Sequence, residues 1–283
     1  MIHVLALCPE AAVLGRGLAA ALGARLHVHQ NALASDGDEV EVFSRIAERM
    51  AELWPRARAL VVIAPAGVVV RGISPLAVGK HRDPAVVCCD VLGRWAIPLL
   101  CGHEGGGNDL AFRVGNLLAA EPVITTTSEA LRDHIVGVGC RRGATGKAIV
   151  AAIQEALRLA GVTRERVRLL ATAAQKATEP GVLEAAKTLE LPLRIIAHEE
   201  IRACAKAHGV SAAARRQLDL PAVAEPCALL AGRRTTICLA KQVIQSVTVA
   251  VAQEHSIVWA SDQEVPSIER VEQKRRSMEP RSS

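Results

Sequence analysis

Apolar residues along this chain change their period repeatedly, and each change marks a new element. "IHVLALC" opens as a short run of β type, and "VEVFSRIAERMAELW" follows with helical spacing that sets Val42, Ile46, Met50 and Leu53 on one face. "ALVVIAP", "AVVCCDV" and "WAIPLLC" are nearly unbroken apolar runs, the mark of strands covered on both faces. "NDLAFRVGNLLAA" returns to helical spacing, and "EPVITTT" closes the first half with a short strand. The second half alternates again through "HIVGVGC", "ATGKAIVAAIQEALRLA", "VRLLATAA", "EPGVLEAAKTLE" and "PLRIIAH". Short strands alternating with helices predict an α/β fold of two small domains, each a mostly parallel sheet covered by helices.

The change of half falls in "SEALRDH", so an N-terminal domain is expected over 1–130 and a C-terminal domain over 131–255. From 256 to 283 the sequence is polar, charged and without period, and is expected to be a disordered tail.

Composition removes several function classes. The 283 residues carry a mild net charge of +5, and aromatics make up only 2%. Nucleic-acid binders concentrate basic residues and interleave them with stacking rings, so no nucleic-acid partner is expected. The eight cysteines form no C-x-x-C pair and sit among apolar neighbours, as reduced thiols do in a cytoplasmic protein. "MIHVLALCPE" has no basic leader region, and "ALVVIAPAGVVV" is far short of the ~20 apolar residues a membrane helix needs.

The candidate chemistry lies in loops between strands and helices. "LLCGHEGGGND" joins a strand to a helix, and ligands in open α/β sheets bind at the carboxyl ends of strands. His103 takes or gives a proton near neutral pH, and Glu104 is the adjacent carboxylate for orienting it or acting as a base. Gly105, Gly106 and Gly107 let a bulky ligand approach the main chain, and Asn108 or Asp109 serves as helix cap. A zinc site is not expected, because H-E-x-x-H would need histidine where Gly107 stands. "GVGCRRGATGK" is a second glycine elbow, in which Gly139 and Gly143 flank Arg141 and Arg142, with Lys147 beyond. Backbone amides, a helix start and fixed cations there suit a carboxylate or phosphate. The dinucleotide fingerprint fails at Arg142 and the P-loop pattern fails at Arg141 and Ala148. Arg71, Lys80 and Arg82 populate a third loop, while Lys176, Glu179 and Glu225 are candidate polar contacts further on. Solvated basic surface, tight turns and helix-entry acids account for the same residues without any ligand.

These loops together resemble one family. "IAPAGVVVRGISPL", "KHRDPAVVCCD", "IPLLCGHEGGGNDLA" and "PVITTT" look like the N-terminal part of the cobalamin biosynthesis protein G family, the cobalt-precorrin-5A hydrolases. "VGVGCRRGATGKAI", "ATAAQKATEPGVLEAAKTLELPLRIIAHEEI" and "LPAVAEPCALLAG" look like its C-terminal part. The resemblance implies opening of the ring-A δ-lactone of a cobalt-bound tetrapyrrole and release of acetaldehyde. It implies no organic cofactor, since the cobalt comes with the substrate, and neighbouring pathway methyltransferases as possible partners. On this reading His103 and Glu104 are base and orienter, the amides of Gly105 to Gly107 are oxyanion donors, and the basic loops hold the substrate's carboxylates. The family's middle segment is missing or vestigial here, which keeps a non-catalytic corrinoid carrier as the alternative. A nucleotide-dependent enzyme is a third reading.

Overall fold

The computed structural model describes residues 1–33, 40–207 and 223–255. The tail expected over 256–283 lies outside the described residues.

The first half runs β1 (Ile2–Ala6), α1 (Pro9–Leu22), β2 (Arg25–His29), β3 (Glu41–Phe43), α2 (Ile46–Leu53), β4 (Ala59–Ile63), α3 (Ala66–Ile73), β5 (Ala85–Cys89), β6 (Trp95–Leu100), α4 (Gly107–Leu118), β7 (Glu121–Pro122) and α5 (Thr127–Ala130). Its strands form one sheet in the order β3-β2-β1-β4-β5-β6-β7, and all pair in parallel except β5 with β6. Alternation along the central strands sends side chains to both faces. Val61, Ile63, Val87 and Cys89 pack with Leu18 of α1 and Leu110 and Val114 of α4. Leu60, Val62, Val86 and Cys88 meet Met50 and Leu53 of α2 and Val69 and Ile73 of α3 on the other face.

The second half runs β8 (His134–Cys140), α6 (Gly146–Ala160), β9 (Val167–Ala173), α7 (Pro180–Thr188), β10 (Leu193–Ile196), α8 (His198–Ala207), α9 (Ala224–Leu230), β11 (Thr235–Ile244) and β12 (Val247–Glu254). The sheet order is β10-β9-β8-β12-β11. Strands β10, β9 and β8 are parallel, whereas β12 and β11 form an antiparallel hairpin added to β8. This sheet is therefore evenly mixed rather than mostly parallel. The hairpin's signal was a period of two: Val247, Val249 and Val251 all face one core.

Three local differences from the sequence expectations have simple causes. Val42 belongs to β3 and the helix starts only at Ile46, because the periodic window spanned a strand end and a helix start. "AGVVVRGI" is helix α3 although its β-branched run and two glycines read as loop; burial of Val69 and Ile73 overrides propensity. Arg71 consequently sits on a helix, where its guanidinium reaches the Gly67 carbonyl at 3.3 Å.

Helix α4 joins the two sheets. Leu110, Ala111 and Val114 belong to the first core, while Phe112 turns into the second, among Ile135, Leu169, Ile196 and Cys227. Asn116 completes the seam by satisfying the edge strand β10: its Nδ2 donates to the Leu193 carbonyl at 2.6 Å, and its Oδ1 accepts from Ile195 N at 2.9 Å. Among the described residues no helix is long and apolar enough to cross a membrane.

A buried histidine pair lies under β2. His3 Nδ1 and His27 Nε2 are 2.9 Å apart, and His27 is fully buried. Burial pushes the His27 imidazole down to about 4, with His3, Arg49 and Arg56 adding to the fall and Glu41 opposing it.

Two outcomes follow for stability. The unfolded chain protonates His27 near its ordinary value while the folded form holds it neutral, so its contribution is whole above pH ~6.5 and drains as pH falls toward ~4. Urea unfolding at pH 7 and pH 4.5 is expected to differ by about 2–3 kcal/mol more in the native chain than in His27→Gln; equal slopes would remove His27 as the cause. Phe112→Ala is expected to cost about 3–5 kcal/mol in the same assay. A loss below about 1 kcal/mol would show that the seam does not depend on this ring.

Candidate functional site

The loop 101–106 owes its shape to close contacts. Cys101 takes a positive φ of 53° and Gly106 one of 75°, the left-handed region that favours glycine. A Cβ on Gly105 would lie 2.5 Å from that of Cys101, and one on Gly107 would lie 2.9 Å from the Leu100 carbonyl. The glycines thus let α4 start tight against the end of β6. Their amides are spent on this: Gly105 N and Gly107 N both donate to the Cys101 carbonyl, at 3.1 and 3.0 Å, and Gly106 N donates to the His103 carbonyl at 3.4 Å. They do not stand free as oxyanion donors.

The loop also lies at the opposite edge of the sheet from the one expected. Because β6 runs against β5, Leu100 pairs with Val86 and the carboxyl end of β6 meets the amino ends of β4 and β5. The return loop from α3 into β5 is found at that edge. Asp83 is buried there and accepts from Val78 N at 2.9 Å and Gly79 N at 2.8 Å, which fixes the turn carrying Lys80. Lys80 Nζ then donates to Glu104 Oε1 at 2.5 Å. That hydrogen bond holds the Glu104 carboxyl below its ordinary range. His81 and Arg82 on the same turn are exposed.

Glu104 therefore does not orient His103. The partner of His103 is Glu129: Nδ1 and Oε1 are 3.2 Å apart. Thr126 Oγ1 and Ser128 Oγ both donate to Glu129 Oε2, the latter at 2.5 Å. Burial alone would raise the Glu129 carboxyl; the hydrogen bonds from Ser128, Thr126 and His103 outweigh it and hold the group below the usual carboxylate range. Asn108, buried at the start of α4, donates from Nδ2 to Thr126 Oγ1 at 2.9 Å and so ties the start of α4 to the cap of α5, the short helix that carries Glu129. With Nδ1–H donated to a fixed carboxylate, Nε2 is the ring's acceptor nitrogen. The His103 side chain is 63% exposed, so Nε2 is open to an incoming molecule, whereas the Glu129 side chain is only 12% exposed.

Glu129 was missed from sequence because it sits in the polar "TTTSEALRDH" stretch, read only as a boundary. The available signal was Thr126-x-x-Glu129, a helix-start pattern of hydroxyl and acid.

The second glycine elbow is built differently. Gly143 N donates to Glu179 Oε1 at 2.8 Å, and Lys176 Nζ donates to Glu179 Oε2 at 3.0 Å. The amide hydrogen bond first, and Lys176 next, hold Glu179 below its ordinary range. The anion in this elbow is the protein's own. Thr145 caps α6 by accepting from Ala148 N at 3.2 Å. Gly139 has no room for a Cβ, which would lie 2.5 Å from Thr248 Oγ1. Glu225 Oε1 accepts from Lys241 N at 2.8 Å, where the β11–β12 register shifts. Gly139, Lys176, Glu179 and Glu225 are thus engaged within the fold, and Arg141, Arg142 and Lys147 are exposed.

The two elbows do not face each other. Glu129 leads into the amino end of β8 at His134, whereas the Arg141 elbow follows its carboxyl end at Cys140. The strand between them spans roughly 20 Å at about 3.3 Å per residue. Glu129 also lines a cavity of about 680 Å³, together with Phe112 and Ile124 from the first half and Arg168, Arg233 and Gln253 from the second. Among the described residues no group of three or more His, Cys, Asp or Glu side chains is placed to hold a metal ion.

Comparison with known proteins fits this division. Residues 48–129 match the family described as cobalamin synthesis G N-terminal, and residues 134–252 match cobalamin synthesis G C-terminus. Cobalt-precorrin-5A hydrolase of Salmonella typhimurium is 45% identical over 71 residues, which are 25% of this chain and 20% of that one. The protein of the same name from Priestia megaterium is 40% identical over 98 residues, 33% of this chain and 26% of that one. The chain thus spans about a quarter or less of the length of these curated relatives. A crystal structure of cobalamin biosynthesis protein chiG from Agrobacterium tumefaciens is 40% identical with a TM-score of 0.36, covering 44% of this chain and 99% of that one. With both family segments present, in order and spanning most of the described residues, the chain belongs to the cobalamin synthesis G family.

Proposed function

We propose that this protein hydrolyses the ring-A δ-lactone of cobalt-precorrin-5A and releases acetaldehyde, with His103 as the catalytic base. The observation that carries the reading is the His103–Glu129 pair: a part-buried, ionised carboxylate holds Nδ1 and leaves Nε2 as the free nitrogen of an exposed ring. Lactone opening needs a base to take a proton from water as its oxygen adds to the carbonyl carbon. The acyl C–O bond then breaks, and the imidazolium returns that proton to the departing alkoxide. The product carries a new carboxylate and a free hydroxyl.

The same nitrogen serves the second step. Nε2 takes the hydroxyl proton, the C–C bond to the macrocycle breaks, and acetaldehyde leaves. The electron pair stays on the macrocycle, whose carbon is then protonated. In both steps positive charge grows on the imidazole, and Glu129 steadies it without giving up its own negative charge. Glu129 is a positioning residue. Lys80, fixed by Glu104, is the cation we assign to the developing oxyanion, since the glycine amides are occupied. The cobalt belongs to the substrate, and these steps call on no organic cofactor.

A carrier reading finds support in one observation, the 63% exposure of the His103 side chain among the described residues. The product decides between them: hydrolysis yields acetaldehyde and an opened macrocycle, while a carrier binds the substrate and yields neither.

His103→Ala is expected to lower kcat for acetaldehyde release by roughly 10²–10⁴ with KM little changed. Glu129→Gln is expected to lower kcat by about 100-fold, because the ring loses the carboxylate that fixes it and balances its growing charge. Turnover of His103→Ala at the parental rate would sink this assignment.

A further inference from the structure

The cavity that Glu129 lines has a chemical character that the His103 reading does not use. Its lining combines apolar side chains, Phe112, Ile124, Ala130 and Leu131, with five arginines at positions 132, 166, 168, 233 and 234. Three of the five are braced by acids of the fold. Arg166 pairs with Asp133, Arg168 with Glu254 at 2.8 Å, and Arg233 with Glu121 at 2.8 Å. The braces are shared: Glu254 also accepts from Arg233 N at 2.7 Å, and Asp133 also accepts from Gln253 Nε2 at 3.0 Å. The turn that presents Arg233 and Arg234 is pressed onto the sheet at Gly232, where a Cβ would lie 2.4 Å from Ile135.

The other two are different. Among the described residues, the guanidiniums of Arg132 and Arg234 make no hydrogen bond or close ion pair, although a backbone hydrogen bond, helped by the Arg132 charge, holds the Glu165 carboxyl below its ordinary range, and Arg234 is held at a positive φ of 51°. A non-glycine residue in that region is uncommon, and the turn that imposes it aims two successive arginines at one rim. Guanidinium forks bind carboxylates in two-point fashion, and apolar lining suits the face of a ring.

We infer that this cavity is a binding site for a flat macrocycle edged with carboxylates, with Arg132 and Arg234 as the groups that grip those carboxylates. The inference rests on the proposed function and deepens it: it places the body of the substrate in this cavity, with Glu129 as the wall shared with His103. It also moves the anion-holding role away from Arg141, Arg142 and Lys147, whose elbow lies at the far end of β8 and already holds Glu179.

The test is direct binding, followed by absorbance of the corrin. The probes are cobyrinic acid, a cobalt corrin with free carboxylates, and its fully esterified neutral form. The native chain is expected to bind the acid about tenfold or more tightly than the ester, with the preference shrinking as salt rises. The double variant Arg132→Gln with Arg234→Asn is expected to weaken the acid about tenfold and leave the ester unchanged. Asparagine is chosen at 234 because it tolerates a positive φ. Neither side chain braces the fold, so the melting temperature is expected to stay put, and Arg166→Gln offers a second route into the same rim. Arg141→Gln with Arg142→Gln is expected to bind the acid as the native chain does. Failure of the native chain to bind the acid, equal binding of acid and ester, or loss in the Arg141/Arg142 variant with none in the Arg132/Arg234 variant would each overturn the inference. His103→Ala separates this from the catalytic reading: it is expected to bind the acid normally, so an inactive protein with intact binding leaves the cavity assignment standing. Full activity in His103→Ala would remove the base and leave the cavity untouched.

Discussion

One part-buried carboxylate, Glu129, sits where the two halves of the molecule meet, and much of the site depends on its staying charged. Burial works against that charge, and three donors from Thr126, Ser128 and His103 restore it. Losing those partners would leave a part-buried charge without its hydrogen bonds, which is unfavourable. The requirement fixes the imidazole of His103 on one side and the chain path into β8 on the other. The glycine loop, α4 and the strand before α5 then have little freedom. Asn108 locks the first to the third, and Phe112 carries the same helix into the second core.

The architecture was largely legible in the sequence because burial on both faces leaves a period that switches between strand and helix. Strand direction was not. "WAIPLLC" reads the same whichever way it lies, and the hydrophobic pattern carries no record that β6 opposes β5. That reversal decides the site, since it moves the His103 loop to the edge where Lys80 arrives. The β11–β12 hairpin escaped notice for a related reason: its alternation marks a half-covered antiparallel strand, and the expectation was of parallel ones.

The candidate site was legible in its glycines and its histidine, less so in its chemistry. Runs of glycine mark where a backbone passes close to something, and here that something is mostly the protein itself. The amides of Gly105 to Gly107 close a turn, and the Gly143 elbow holds Glu179. The arginines of the cavity rim lie in three separated stretches, around 132, 166 and 233. No local motif announces them, and only the sheet order brings them to one edge. Glu129 was hidden in a polar link for the same reason: its role appears only when His103 is beside it.

The claim on which all of this turns is that Glu129 fixes the ring of His103 with Nε2 as the bare nitrogen. Nitrogen-15 spectra of the histidine side chains, with His103 assigned by its loss in His103→Gln, read that directly. Neutral His103 is expected to carry its proton on Nδ1, with Nε2 showing the shift of an unprotonated ring nitrogen. A neutral ring protonated on Nε2 would contradict the account, because Glu129 would then receive no hydrogen bond from it and Nε2 could not act as the base.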